Sequence, residues 1–123
     1  HELTHAVIYG LAPRHVPAWL HEGLASYFEP EDAASAAARL RRARIGVIPI
    51  EALDGGFGRL TAPQALLAYT QSLVMADVLM QRIGPRMGIF LQSLDRGQSL
   101  EHSLQTFDWS SARFTGEVAA RIK

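Results

Sequence analysis

The sequence predicts a mainly α-helical fold. Apolar residues recur at helical spacing in almost every segment, and prolines, glycines and capping residues separate these segments. The apolar residues 47–50 have the length of a strand, but Pro49 makes them a poor interior strand because proline has no N–H to donate to a neighbour. With 123 residues, of which 48% are apolar and 20% charged, the chain is long enough for one domain.

The first helix opens on HELTHAVIYG, which contains the spacing H-E-x-x-H. Residues i and i+4 lie about 40° apart around a helix, so His1 and His5 can direct two imidazoles at one metal ion. Glu2 lies beside them, near enough to hold the water at an open coordination position without being a ligand. The opposite face is expected to pack on the core through small and apolar residues, namely Leu3, Ala6, Val7 and Gly10.

The second helix is expected over residues 18–28, after a glycine and two prolines have broken the chain. This helix-turn-helix returns Glu22 to the metal as a third ligand. The rival arrangement H-E-x-x-H-x-x-G-x-x-H is excluded, because Ile8 and Leu11 occupy its glycine and third-histidine positions. A chance pair of surface histidines and a solvated acid at Glu22 are the alternatives to this His-His-Glu site.

Such a ligand set predicts one catalytic Zn²⁺ ion. Three protein ligands leave a fourth position for water, and zinc lowers the pKa of that water from about 15.7 toward about 7. Glu2 would then take the proton as general base and later deliver it to the leaving amine. The alternative is that Glu2 is an ordinary acid in the first turn of a helix, where the dipole favours it.

The motif and the WLHEGLASY segment around Glu22 resemble the gluzincin metallopeptidases, most of all the bacterial peptidase MA-like domains. Later segments, AYTQS, RIG and GQSLE, resemble that family more loosely. The resemblance implies that the chain is the C-terminal helical part of a zincin-like α+β metallopeptidase domain, without its upstream sheet. We therefore expect a single domain fragment over residues 1–123, with a metal-binding helix-turn-helix at 1–28 and a helical remainder at 29–123.

The resemblance also bears on two individual residues. It favours Glu22 over the neighbouring His21 as the third ligand, since the two side chains lie about 100° apart and both cannot face the metal. It further implies a hydrogen-bond donor to the reaction's oxyanion downstream of the third ligand, and Tyr69 is the matching candidate. The alternative for Tyr69 is a core or rim aromatic.

Other polar residues have a less definite meaning. Ser26 and Glu29 lie one and two turns beyond the third ligand and are candidates to hydrogen-bond a ligand imidazole, although exposed helix residues look the same. Asp77 is either such a partner or a paired core carboxylate. His15 and His102 are expected at the surface, and His15 is the better candidate for the rim of the site because its turn joins the two ligand helices.

The remainder of the chain also has helical spacing. An alanine-rich helix is expected from residues 30–32 to about 44, followed by a loop at 54–58 in which Phe57 is an anchor. The longest helix, about residues 62–83, has Thr61 as its N-cap and a wide apolar stripe, so it should be central and buried. The stripe comprises Leu66, Leu67, Leu73, Val74, Val78 and Leu79. Helical segments at about 85–95, 100–107 and 114–122 complete the prediction.

Charge and composition limit the partners. Twelve basic residues balance twelve acidic ones, so no global field would recruit nucleic acid. The arginine-rich run at residues 39–44 is better explained as the dipole-matched end of a helix. No apolar run reaches the roughly 18 residues of a membrane span, and the absence of cysteine excludes disulfides and thiolate metal sites.

Two functions remain. The first is a zinc-dependent peptidase that acts on a peptide or protein substrate with Glu2 as general base. The alternative is a non-catalytic helical module, derived from a metallopeptidase, that binds a metal or a partner. The motif favours the enzyme, because structural zinc does not need Glu2 and a two-His, one-Glu set leaves a coordination position open.

Overall fold

The computed structural model describes residues 1–29 and 32–123. Helix accounts for 74% of the described residues, which form no strand, and this confirms the predicted mainly α class. The α-helices of the described part are α1 (Glu2–Leu11), α2 (Ala18–Tyr27), α3 (Ala33–Ala43), α4 (Ala62–Ile83), α5 (Met87–Asp95), α6 (Leu100–Gln105) and α7 (Ser111–Ile122). Short 3-10 turns occur at Ile50–Leu53, Phe57–Arg59 and Gly84–Arg86. None of the described helices combines the length and the apolar character needed to cross a membrane.

Helix α4 is the centre of the structure, and its bounds are those predicted. Thr61 begins it with a capping box, in which the Thr61 hydroxyl accepts from the Gln64 N–H and the Gln64 side chain accepts from the Thr61 N–H. Half of its 22 residues are buried. Leu66 is an exception to the predicted stripe, since it lies in the first turns of the helix and is 67% exposed.

Helix α2 packs on α4 at very short distance, and Gly23 makes this possible. A Cβ atom at Gly23 would lie only 2.3 Å from the backbone oxygen of Ser72. The start of α2 is fixed by Asp54, whose backbone oxygen accepts from the Ala18 N–H and whose carboxylate accepts from the Trp19 indole. The helix that carries Glu22 is therefore firmly positioned.

Helix α1 is much less buried than expected. Its one buried residue is Ile8, while Leu3 is 78% exposed and Val7 is 54% exposed. The predicted packing of the face formed by Leu3, Ala6, Val7 and Gly10 is therefore wrong, and all four are exposed. The helix contacts α2 and α5, and its less exposed residues are Thr4, His5 and Ile8.

Residues 47–50 do not form a strand, as Pro49 indicated. Instead the side-chain amide of Gln71, which is fully buried in α4, makes both hydrogen bonds that a neighbouring strand would make. Its oxygen accepts from the Ile48 N–H and its nitrogen donates to the Ile48 carbonyl, and both donor–acceptor distances are 2.8 Å. Farther along, Phe57 is buried and anchors the following loop as predicted.

Helix α3 begins after Asp32, whose carboxylate accepts from the Ala34 N–H. Pro30 and Glu31, where the sequence places the start of this helix, lie outside the described residues. Asp77 of α4 proves to be a paired carboxylate, since Arg121 of α7 forms an ion pair with it and Gln81 also donates to it. This resolves the two alternatives for Asp77.

Candidate metal centre

The first turn of α1 and the first turns of α2 bring His1, His5 and Glu22 together. The carboxylate oxygen Oε1 of Glu22 lies 3.1 Å from Nε2 of His1 and 3.2 Å from Nε2 of His5. One ligand atom from each of the three residues lies within 4.8 Å of the other two. The cluster is half-buried, with side-chain exposures of 33%, 17% and 21% for His1, His5 and Glu22.

The two separations that involve Glu22 suit a zinc ion. With Zn–N and Zn–O bonds of about 2.0–2.2 Å, ligand atoms at tetrahedral angles lie about 3.4 Å apart. The two contacts of the Glu22 oxygen, at 3.1 and 3.2 Å, are close to that spacing. Two imidazoles and one carboxylate are also donors that zinc accepts, and three of them leave a fourth position for water or substrate.

Each ligand imidazole also has a partner on its second nitrogen. Nδ1 of His1 lies 3.1 Å from Oε1 of Glu29, and Nδ1 of His5 lies 3.4 Å from Nδ1 of His21. Such partners fix the tautomer of a metal-binding histidine and leave the other nitrogen free for the metal. Of the two residues that the sequence offered for this task, Glu29 makes the contact, while Ser26 is buried within α2.

His21 is directed beside the ligand cluster rather than into it. Burial lowers the pKa of His21 below its usual value, the charge of His5 lowers it further, and Glu22 acts in the opposite direction. A neutral imidazole can accept the hydrogen bond that Nδ1–H of His5 would donate. The Nε2 atoms of both motif histidines lie near the Glu22 carboxylate, whereas His21 contacts, of their ring nitrogens, only Nδ1 of His5.

The two residues expected to act directly in catalysis lie on different helices, Glu2 beside the cluster on α1 and Tyr69 on α4. Glu2 is the first residue of α1, exposed, and about 100° around the helix from His1. Tyr69 lies on α4, where its ring packs edge-on against Phe57 with 5.0 Å between centroids, and it is 40% exposed. Tyr69 does not line the cavity of about 340 Å³ that contains His5 and Glu22.

Tyr9 lines that cavity, and sequence reasoning missed it. Its ring lies 4.6 Å from the ring of His21, centroid to centroid. The signal was present, because His1, His5 and Tyr9 follow one another at intervals of four residues and so share one side of α1. A phenol in this place offers a hydrogen-bond donor close to the ligand cluster.

The turn between the two ligand helices is held by Asp95 at the end of α5. Its carboxylate accepts from the backbone N–H groups of Arg14 and His15, at 2.6 and 3.2 Å. Nδ1 of His15 lies 2.7 Å from the Asp95 carbonyl oxygen. His15 and His102 are both exposed, as expected, and neither joins the cluster of His1, His5 and Glu22.

Comparison with known proteins identifies one family. The family model described as "Protein of unknown function (DUF1570)" matches residues 1–76, which is more than half of the 123 residues. The match includes both ligand helices and α4 as far as Ala76. The comparison with curated proteins gave no match, and neither did the comparison with solved structures.

Proposed function

The chain belongs to the DUF1570 family, and we propose that it is the metal-binding, helical part of a zinc-dependent peptidase of the gluzincin type. The observation that carries the proposal is the convergence of His1, His5 and Glu22, whose ligand atoms lie within 4.8 Å of one another. The H-E-x-x-H spacing adds a second acid, Glu2, beside the ligands, which a purely structural zinc site does not require.

A zinc ion held by these three side chains would act as a Lewis acid and would lower the pKa of a bound water molecule. Glu2 takes a proton from the attacking water and returns it to the leaving nitrogen of the scissile peptide bond. Glu29 and His21 hold the two imidazoles in the tautomers that present Nε2 to the ion, which keeps the ligands oriented between turnovers.

The developing negative charge on the scissile carbonyl oxygen needs a hydrogen-bond donor as well. Tyr69 is proposed for this role through the family resemblance. Tyr9 is a second candidate, since it lines the cavity that contains His5 and Glu22. Replacement of each by Phe separates them: removal of the true donor lowers kcat about 10²–10³-fold, while removal of the other leaves kcat within a few-fold of the original.

The test of the whole proposal is the substitution Glu2→Gln, with zinc content and peptide cleavage measured on the same samples. Because Glu2 is not a ligand, the variant should keep its zinc and lose cleavage by about 10²–10⁴-fold. Glu117→Gln is the matched control, since Glu117 is an exposed acid in α7. This variant should keep both its zinc and its peptide cleavage.

The alternative, a non-catalytic module that binds a metal or a partner, predicts a different result. Both the unaltered protein and Glu2→Gln would then bind one equivalent of zinc, and neither would cleave a mixture of peptides. Failure of the unaltered protein to bind zinc would contradict the peptidase and the metal-binding form of the alternative, because both depend on the ligand cluster, and would leave only a module that binds a partner.

A further inference from the structure

A second, larger cavity adjoins the one at the candidate metal centre. It has a volume of about 790 Å³, within the range of about 300–1,000 Å³ typical of small-molecule sites. Arg14, Val16 and Asp54 line both cavities, so the two adjoin at these residues. A peptide that crosses these three residues would reach from one cavity to the other.

The walls of the larger cavity are mostly apolar. Its apolar lining includes residues 47–50, Leu94, Leu100 and Trp19. Thr115 of α7 also lines the cavity, and its hydroxyl is occupied by bonds to carbonyl oxygens of its own helix. Such a surface favours binding of an apolar group, because the group's surface is then removed from water.

Two charged residues, Arg14 and Asp54, lie where the two cavities adjoin, while Glu51 and Glu101 line only the larger one. Among residues 1–29 and 32–123, no hydrogen bond or ion pair engages the guanidinium of Arg14, whose side chain lines both cavities. Asp54 stands at the same place, with one carboxylate oxygen accepting from the Trp19 indole. A peptide backbone carries both a carbonyl acceptor and an N–H donor, and these two side chains offer the complementary groups.

We propose that the larger cavity is a substrate subsite, which binds a bulky apolar side chain of a peptide while the peptide's backbone lies across Arg14 and Asp54 toward the metal centre. This assignment rests on the proposed peptidase function for the identity of its ligand. If the subsite exists, the preferred substrates are peptides that carry leucine or phenylalanine at one fixed position relative to the scissile bond. Glycine at the same place would leave the cavity empty.

The test uses the indole N–H resonances of the unaltered protein, which has two tryptophans. Trp19 lines the cavity, while Trp109 lies against Phe114 and Arg82 and does not line it. Titration with N-acetyl-phenylalaninamide or N-acetyl-leucinamide should shift the Trp19 indole resonance to saturation and leave Trp109 nearly unchanged. N-acetyl-glycinamide, the matched probe without a side chain, should shift neither.

A variant that fills the cavity sharpens the test. Thr115→Phe should weaken binding of the phenylalanine probe at least tenfold, whereas Thr115→Val, which adds no bulk, should bind it as the unaltered protein does. The assignment is wrong if the Trp19 shift does not saturate, if both indoles shift equally, or if the glycine probe binds as well as the others.

The result is also distinguishable from failure of the peptidase proposal. Binding of the apolar probes without cleavage of any peptide by the zinc-loaded protein would keep the subsite and overturn the enzyme. Cleavage with no preference for leucine or phenylalanine over glycine, and no effect of Thr115→Phe, would keep the enzyme and overturn the subsite.

Discussion

The two helices that carry the candidate ligands are held in very different ways. Seven of the ten residues of α2 are buried, and Gly23 brings its backbone against Ser72 of α4. Of the ten residues of α1 only Ile8 is buried, and its apolar Leu3 and Val7 are exposed. Glu22 therefore stands on a helix anchored in the core, whereas His1 and His5 stand at the start of a lightly packed helix.

This difference indicates how the site is assembled. The carboxylate on α2 is placed by packing that exists without a metal. The two imidazoles are placed largely by polar contacts with α2 and with Glu29 just beyond its end, namely those of His1 and His5 with Glu22, of His1 with Glu29 and of His5 with His21. A bound ion would join the two helices, so metal binding and the ordering of α1 should be coupled.

The largest expected effect tests the packing of α2. Gly23→Val should lower the free energy of unfolding by about 3 kcal/mol or more, because its side chain would overlap the Ser72 backbone. Gly10→Ala is the matched substitution on α1, where a Cβ meets nothing within 4 Å, and it should raise stability by up to about 1 kcal/mol. Urea unfolding of both variants measures the contrast, and similar effects at the two glycines would contradict it.

The second prediction concerns the metal. Zinc at a hundred times its Kd should stabilise the protein by about 2.7 kcal/mol, with the gain in amide-exchange protection concentrated in α1. His5→Ala should abolish the response, while His102→Ala, at an exposed histidine away from the cluster, should keep it. Equal protection of α1 and α4 would mean that α1 is already as firmly held as the core.

The third prediction concerns the single apolar anchor of α1. Ile8→Ala should loosen the helix and weaken zinc binding about tenfold, equivalent to about 1.4 kcal/mol. Val118→Ala removes apolar contacts from α7, where Val118 is buried, and should lower global stability without changing zinc affinity. Isothermal titration of both variants decides the point. An unchanged zinc affinity in Ile8→Ala would show that the polar contacts alone position α1.

The smallest expected effect lies at Asp54, which fixes the start of α2. Burial raises the pKa of Asp54, the indole of Trp19 opposes the rise, and Glu51 adds to it. Above the ordinary aspartate pKa the folded state therefore holds more protons than the unfolded state, so this group's contribution to stability declines as pH rises through that range.

Asp54→Asn should remove this decline and keep the acceptor for Trp19. Its stability should match that of the unaltered protein below about pH 3.8 and exceed it slightly at neutral pH, as measured by thermal unfolding across pH. A variant that is less stable at neutral pH would show that the charge itself secures α2.

Features that depend on local sequence were predictable. The N-cap at Thr61 and the long apolar stripe defined α4 to within a residue. The H-E-x-x-H spacing placed two imidazoles on one side of α1, and those imidazoles meet Glu22 in the structure. Periodicity within one helix is enough for such conclusions.

Features that depend on the placement of one helix against another could not be predicted from the sequence. Helix α1 has apolar residues on two adjacent faces, so periodicity alone could not show that Ile8 rather than Leu3 and Val7 faces the core. The contact between His1 and Glu29 spans the whole helix-turn-helix, and it depends on the angle between α1 and α2. The role of Tyr9 beside His21 depends on the same angle.

The buried amide of Gln71 has one further consequence. It secures the wall of the larger cavity through the backbone of Ile48 alone, without using any side chain of residues 47–50. These two hydrogen bonds are independent of the side chains of that wall, of which Val47, Ile48 and Ile50 also pack against the core. Substitutions that keep an apolar side chain there should leave the backbone in place, so this segment is a natural place to alter which groups the cavity accepts by protein engineering.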